Sequence, residues 1–533
     1  MKRIISCLLF LLLAAPGLAA VKLPALAGDR MVLQRDRAVK LWGWADPGET
    51  VTVRYADRKT YTTRADETGR WLLALPAMPA GGPYTLRIND IELKDILFGD
   101  VFLCTGQSNM ELPVYRVLDL FADEVAGYAN DRIRHILIPR TTNFHAPQED
   151  MPPTQWQTLT PEQAMHFSAL AYFTAKELYA RTGVPVGLVN SCWGGTPVES
   201  WISEEGLEPF PLYLNDKRLY ESDDYCDALR RTEGQSSARW HAQLYASDPG
   251  YRGGKPWFAA DYDDSDWRTV EMFGYGWAHN GTYSTAGSHW LRKRVEVPAG
   301  WEGCEATLRL GCIVDADSVY VNGRFVGTTG YQYPPRIYRI PAGVLQAGEN
   351  QITVRIVSNG AHPQFVPEKP YKIVCNGGEV SLEGPWRYRA GTPMPPAPGS
   401  TVLHYKPVCL YNAMIAPLAH SAFKGVIWYQ GESNVGRRSE YQALLTAMMA
   451  DWRRTFDDAG LPFYIVELAD FLSPDDTGGR RAWAEMREIQ AQTAAADPHA
   501  RLIKNQDLGE WNDIHPLDKK TLGGRVAEAI LLD

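Results

Sequence analysis

Strands alternating with helices break off near residue 205, give way to about 150 residues of β pattern, and resume near residue 400. This interruption constrains the chain more than any other feature. An α/β pattern that is broken and then continued reads as one α/β domain with a second unit inserted into it. In the first flank, "DVFLCTG", "RHILIPR" and "VGLVNSCWGG" are apolar runs of the kind buried on both faces of a parallel sheet. "FSALAYFTAKELYARTG" has apolar positions at helical spacing, with Gly183 as its stop. In the second flank, "KGVIWYQGESN", "PFYIVELADF" and "ARLIKNQDLG" are strands, and "YQALLTAMMADWRRTF" and "AWAEMREIQAQTAAA" are helices.

The insertion reads as β throughout, from "DDSDWRTVEM" to "NQITVRIVSNG". Asn322-Gly323 marks a two-residue hairpin turn, and "GTPMPPAPGS" closes the unit as a Pro/Gly-rich linker. Short alternating strands also precede the α/β pattern ("AVKLWGWA", "ETVTVRY"), with "DPGE" as a turn between them, which suits a small β-sandwich. The expected organisation is therefore 21–95 as an N-terminal β-sandwich, 96–235 as the first part of the α/β domain, 236–392 as the inserted β domain and 393–533 as the second part.

Residues 1–20 read differently. Lys2 and Arg3 precede an apolar run, and "APGLAA" follows it, the pattern of a secretory leader. An exported protein, periplasmic or secreted, is the expectation. No later segment approaches the length of a membrane span. Without Lys2 and Arg3 the formal charge moves from −9 to −11, and no basic run is present, which argues against nucleic acid or an anionic membrane as partner. Eight cysteines less Cys7 leave seven, with no C-x-x-C pair. Cys304 and Cys312 suit either a cross-strand disulfide or two free thiols. No H-E-x-x-H or dense His/Asp cluster is present, so no metal and no cofactor is expected. The 17 Trp and 26 Tyr supply either sandwich cores or sugar-stacking platforms.

Chemistry concentrates where strands end. Ser108 follows "LCTG" at the carboxyl end of a predicted parallel strand, the place where α/β sites form. A serine hydroxyl needs a base, a group to orient that base, and donors for an oxyanion. Among 11 histidines, His279, His289, His404 and His420 sit in unremarkable settings, whereas His515 lies in the polar loop "EWNDIHP" after the last strand. Asp513 and Asn512 stand two and three residues before it. "NSCWGGTPVESW" offers backbone N–H donors at Gly194 or Gly195, and "WYQGESN" offers the Gln430 amide.

"GQSNM", "SCWGGTP", "WYQGESN" and "DIHP", in that order, resemble the SGNH hydrolases, specifically the sialate O-acetylesterase family and related carbohydrate acetylesterases. The resemblance covers almost all of the chain after the leader. It implies an α/β SGNH (flavodoxin-like) hydrolase domain with a parallel sheet, a leading β domain, and an insertion like the sugar-binding jelly rolls of glycoside hydrolases. It implies Ser108 as nucleophile with its own N–H in the oxyanion hole, Gly194 or Gly195 as second donor, and Gln430 where many SGNH enzymes place an asparagine. Gln107, Asn109 and Asn512 are supporting residues, as is Glu432 by orienting Gln430, and His515 is the base. The common pattern has Asp three before the His. Here that residue is Asn512, and Asp513, two before the His, is the expected third member, with a dyad leaning on a backbone carbonyl, and then Glu510 or Asp507, as alternatives. The implied substrate is an O-acetylated glycan. Sialate would call for an arginine, with Arg116, Arg437 and Arg438 near the motifs; xylan, xyloglucan or pectin are alternatives, as is a catalytically dead glycan-binding protein.

Overall fold

The computed structural model describes residues 21–55, 59–274, 278 and 285–533; the leader expected over 1–20 and His279 lie outside them. Six parallel strands form the heart of the molecule: β1 (Ile91–Gly106), β2 (Asn130–Leu137), β3 (Val186–Cys192), β4 (Gly425–Tyr429), β5 (Phe463–Val466) and β6 (Ala500–Ile503). Their order across the sheet is 2-3-1-4-5-6, and a short strand, Gln157–Leu159, pairs antiparallel with β2 at one edge. Every residue of β3, β4 and β5 is buried, which is why these segments read as unbroken apolar runs. Flavodoxin's order is 2-1-3-4-5, so the likeness does not run strand for strand. It lies in the reversal about β1, whose neighbours β3 and β4 flank the insertion in sequence.

Helices cover the sheet. Among them are α1 (Ser108–Glu111), α2 (Ala169–Thr182), α4 (Tyr441–Thr455), α5 (Thr477–Ala496) and α6 (Lys519–Leu532), while α3 (Asp223–Ser247) runs toward the inserted unit, where its Trp240 and Leu244 pack with Val357 and Met394. Ser168 caps α2 by accepting from the Ala171 N–H, and Gly183 closes it at φ +67°. α2 and α6 pack so closely that a Cβ at Gly523 would stand 2.7 Å from Phe173 Cβ.

Two boundaries differ from expectation. β1 is a single 16-residue strand. Its first half pairs with Gly81–Ile88 and Val32–Gln34 of the N-terminal β unit, and its second half with β3 and β4. The expected division at 95/96 therefore falls inside one strand, because apolar residues run through it without a turn signal. The division at 235/236 falls inside α3. That helix is polar nearly all round, with Cys226, Trp240 and Leu244 as its buried residues, so it carries no apolar stripe to read.

The inserted unit is a two-sheet antiparallel β structure. One sheet has six strands and contains Gly287–Val297 and Gly348–Ser358 at its centre; the other has four and contains Ala306–Leu310 and Tyr371–Cys375. Trp386, Leu291, Ile373 and Leu308 belong to the core between them. Asn322 (φ +48°) and Gly323 (φ +80°) make the hairpin turn read from the sequence. Cys304 and Cys312 are free thiols, as are the other five described cysteines; Cys312 donates to the Tyr333 carbonyl instead of pairing. Among the described residues no helix is long and apolar enough to cross a membrane, and no cluster of metal-ligating side chains occurs.

Candidate active site

Ser108 stands where β1 stops. Gly106 has φ +136°, and a Cβ there would lie 2.1 Å from the Tyr429 carbonyl oxygen of β4, so only glycine lets the two strands approach this closely. The Gln107 N–H donates to that same carbonyl (3.0 Å), and α1 starts at once with Ser108. The half-buried Ser108 is thereby presented at the carboxyl edge of the sheet, beside the strand about which the order reverses.

His515 arrives from the loop between β6 and α6. Its Nε2 lies 2.8 Å from Ser108 Oγ although the two residues are 407 apart in sequence. Asn109 fastens the two loops together. Its side-chain N–H groups donate to the Ile514 carbonyl (2.8 Å) and to Glu432 Oε1 (2.7 Å), and its Oδ1 accepts from Lys519 Nζ (2.8 Å). Gln107 accepts long hydrogen bonds from the Gly431 and Ser433 N–H groups, tying the β4 loop to the same turn.

Asp513 is close to the base without being hydrogen-bonded to its ring. Its Oδ1 accepts from the His515 backbone N–H (2.9 Å) and stands 3.9 Å from His515 Nδ1, which is buried without a partner among the described residues. Its Oδ2 faces Lys369 Nζ (3.2 Å). Asn512 turns away and donates to the Pro367 carbonyl (2.7 Å) of the inserted unit. Asp507 pairs with Arg525, also away from His515. Glu510 accepts from Lys369 (2.7 Å). Of the carboxylates considered for the third position, Asp513 is therefore the one placed beside the imidazole.

Burial, reinforced by the charges of Lys519 and Arg116, pushes the His515 pKa down to about 3, so the imidazole is neutral and free to accept a proton. Burial lifts the Asp513 carboxyl above its ordinary range, with Lys369 pulling the other way. Lys519 is fully enclosed, and burial brings it down to about 7; burial also raises Glu432. These two groups meet across Asn109, each shifted toward its neutral form.

The donor loops divide. A Cβ at Gly194 would lie 3.4 Å from Ser108 Cβ, so this glycine borders the serine directly. Its N–H donates to Glu111 Oε2 (2.6 Å), and Arg140 pairs with the other oxygen of that carboxylate (2.6 Å). The Gly195 N–H has no partner among the described residues; its carbonyl accepts from Ser433 Oγ (2.7 Å). Gln430 is not brought to the site. It is fully buried, its amide donates to the Thr196 carbonyl (3.1 Å) and Asn434 Oδ1 (2.7 Å), and its oxygen accepts from Tyr441 (2.8 Å). With both N–H groups committed it has nothing left for an oxyanion. Glu432 orients Asn109 rather than Gln430.

Several neighbours escape sequence reasoning. Glu111 was adjacent to the serine motif and thus open to notice. Arg140, Tyr333 and Lys369 have no local signal. Tyr333, from the inserted unit, sets its ring edge-on to His515 (centroids 5.7 Å, 89°). His404 stacks on Trp193 beside Gly194 (4.1 Å, 9°). A groove of ≈ 590 Å³ leads from Asp513 between the inserted unit and the α/β domain, walled by Phe273, Tyr333, Phe365, Phe471 and Trp511.

Fold and site together are those of an α/β hydrolase-like esterase. The family model for carbohydrate esterases of the sialic acid-specific acetylesterase type matches residues 98–245 and 394–532, more than half of the chain, and the chain belongs to that family. The unmatched stretch between the two blocks is the inserted β unit. Among relatives, the sialate O-acetylesterase of Pongo abelii is 34% identical over 199 residues, 33% of this chain and 38% of that protein. The sialate O-acetylesterase of Rattus norvegicus is 29% identical over 533 residues, 93% of this chain and 70% of that protein. Among solved structures, a carbohydrate acetylesterase from Xanthomonas citri is 26% identical with a TM-score of 0.57, covering 96% of this chain and 74% of that one.

Proposed function

We propose that this chain is a serine esterase of the SGNH type that removes O-acetyl groups from carbohydrates, and that sialate is its substrate. The contact between Ser108 Oγ and His515 Nε2 carries the reading. His515 takes the Ser108 proton as Oγ attacks the acetyl carbonyl; the sugar oxygen leaves with that proton, and an acetyl-serine remains. Water then adds to the acyl carbon, giving a proton to His515, and acetate departs as Ser108 recovers its hydrogen. The Ser108 N–H and the Gly195 N–H are the oxyanion donors, the Gly194 N–H being committed to Glu111. Asp513 stabilises the imidazolium. The leader-like pattern of residues 1–20 supports an exported, periplasmic or secreted, enzyme, and the inserted unit, jelly-roll-like in its two antiparallel sheets, walls the substrate groove.

Sialate brings a carboxylate, and Arg116 is suited to meet it. Arg437 and Arg438 are engaged by Glu199 and Glu485, whereas Arg116 forms no ion pair among the described residues, has its Nε buried without a partner, and lies near enough for its charge to act on His515. The relatives named sialate O-acetylesterase support the same choice. A second reading, a neutral acetylated polysaccharide such as xylan, rests on the groove, whose described lining offers five aromatic side chains and Asp475, Asp476 and Asp513, and contains no lysine or arginine. Acetate release from O-acetylated sialoglycoprotein and from acetylated xylan, with Ser108→Ala as blank, separates them. Faster release from the sialoglycoprotein is expected; faster release from xylan transfers the assignment to the second reading, and equal release by Ser108→Ala refutes both.

A further inference from the structure

The inserted unit does more than wall the groove. Three consecutive residues of it grip the loop that carries the base: the Pro367 carbonyl accepts from Asn512 (2.7 Å), Glu368 from the Trp511 indole (2.9 Å), and Lys369 reaches Glu510 (2.7 Å) and Asp513 (3.2 Å). Lys369 is the consequential member. We propose that Lys369 is a positioning residue for the Ser108–His515 pair, its ammonium holding the buried Asp513 carboxylate ionised and in place beside the imidazole. The inference rests on the serine-esterase reading above.

Geometry carries the argument. Asp513 uses Oδ1 for the His515 backbone N–H and Oδ2 for Lys369, so its orientation is fixed at both ends. A carboxylate with 9% of its side chain exposed needs such a cation, because burial without one favours the protonated form. A protonated Asp513 would not stabilise the imidazolium that forms when His515 takes the serine proton. Glu510 shares the ammonium and also accepts from the Leu517 N–H (3.2 Å), so one lysine secures both sides of the His515 loop. Burial opposes the ammonium, but the two carboxylates outweigh it and keep Lys369 protonated. The other groups facing Asp513 and His515 are accounted for: Arg116 and Lys519 bear on the imidazole, the Cys312 thiol on Asp513, Tyr333 contributes a ring edge, and Glu432 is held by Asn109.

Lys369→Met leaves Asp513 buried beside Glu510 with no cation in direct contact, the more remote Lys519 being itself driven toward its neutral form by burial. Asp513 then ionises only at higher pH, and His515, beside a neutral neighbour, loses its support below that point. The test is the pH dependence of Ser108 phosphonylation by a small fluorophosphonate, followed by peptide mass between pH 4 and 9, which needs no knowledge of the sugar. In Lys369→Met the acid limb should move upward by about 1 pH unit or more. Labelling at a pH on that limb should fall about tenfold, with recovery toward pH 9. Lys369→Arg should keep the limb within a few tenths of a unit of the parent. Lys369→Gln, neutral and of similar reach, carries the same expectation as Lys369→Met should the latter fail to fold. A limb that stays in place in the neutral variants, whether their rate is unchanged or uniformly lower, overturns the inference while leaving the esterase reading intact. Absence of Ser108 labelling in the parent overturns the esterase reading and this inference with it.

Discussion

Replacing Asn109 by alanine removes one side chain and strands three buried groups at once. Glu432 loses its donor at 2.7 Å, the Ile514 carbonyl loses one at 2.8 Å, and Lys519 loses its acceptor at 2.8 Å. A hydrogen bond to a charged partner contributes roughly 1.5–3 kcal/mol and one to a neutral carbonyl about 1 kcal/mol, so the three bonds set a ceiling of roughly 4–7 kcal/mol. The real loss is smaller, because burial has already lowered the lysine to about 7 and raised the carboxyl, so each is shifted toward its neutral form, which is less costly to leave without a partner. A destabilisation of roughly 3–4 kcal/mol follows. Function should suffer separately. The Ile514 carbonyl immediately precedes His515, and a base displaced by an ångström costs on the order of 10²-fold in rate. Urea unfolding followed by tryptophan fluorescence measures the first effect, and kcat/KM on an aryl acetate at a urea-free, fully folded temperature measures the second. A stability loss below about 1 kcal/mol, or an unchanged kcat/KM in a folded variant, would refute the view that Asn109 clamps the two loops together.

Three further outcomes are expected. Asp513→Ala should cost far more kcat than Asn512→Ala, roughly 10²-fold or more against less than tenfold, since only Asp513 stands beside the imidazole; the reverse order in steady-state kinetics would move the third member to position 512. Lys519 has a folded pKa near 7 against about 10.4 in an unfolded chain, so between those values the unfolded state binds the extra proton and stability rises with pH; denaturation at pH 7, 8.5 and 10 should show that rise in the parent, and Lys519→Met should flatten it. Glu111→Ala frees the Gly194 N–H but also releases its loop from Arg140, and kcat on an aryl acetate should fall about tenfold, with Glu111→Gln retaining more of it; a gain in kcat would mean that the carboxylate obstructs the oxyanion site.

Legibility followed the range of the interaction. Features written within a few residues were open to reading: the strand that stops at Gly106, the helix that closes at Gly183, and the Asn322-Gly323 hairpin each depend on local backbone preferences. The strand-end loops bearing Ser108, Gly194 and His515 could be grouped because a parallel sheet puts all its carboxyl ends on one edge. Side-chain direction was not written there. Gln430 lies in the right loop, yet Asn434 and Tyr441, themselves residues of the same segment and the next helix, turn it inward. Lys369 and Tyr333 belong to a unit whose docking on the α/β domain is a tertiary fact. α3 escaped because a helix that buries so few residues leaves no periodic trace.

The separation of 407 positions between Ser108 and His515 has a consequence for synthesis. At the ~5–20 residues per second of a translating ribosome, the serine emerges about 20–80 s before its histidine does. For most of that interval β4, whose Tyr429 carbonyl pins the β1 turn, is unmade as well as the base, and the hydroxyl is as unreactive as any other. The inserted unit, with Tyr333 and Lys369 on it, is made within the same interval and stands ready to receive the histidine loop. Assembly of the Ser108–His515 pair is thus a late event in the life of the nascent chain, withheld until the inserted unit that grips the histidine loop has been made.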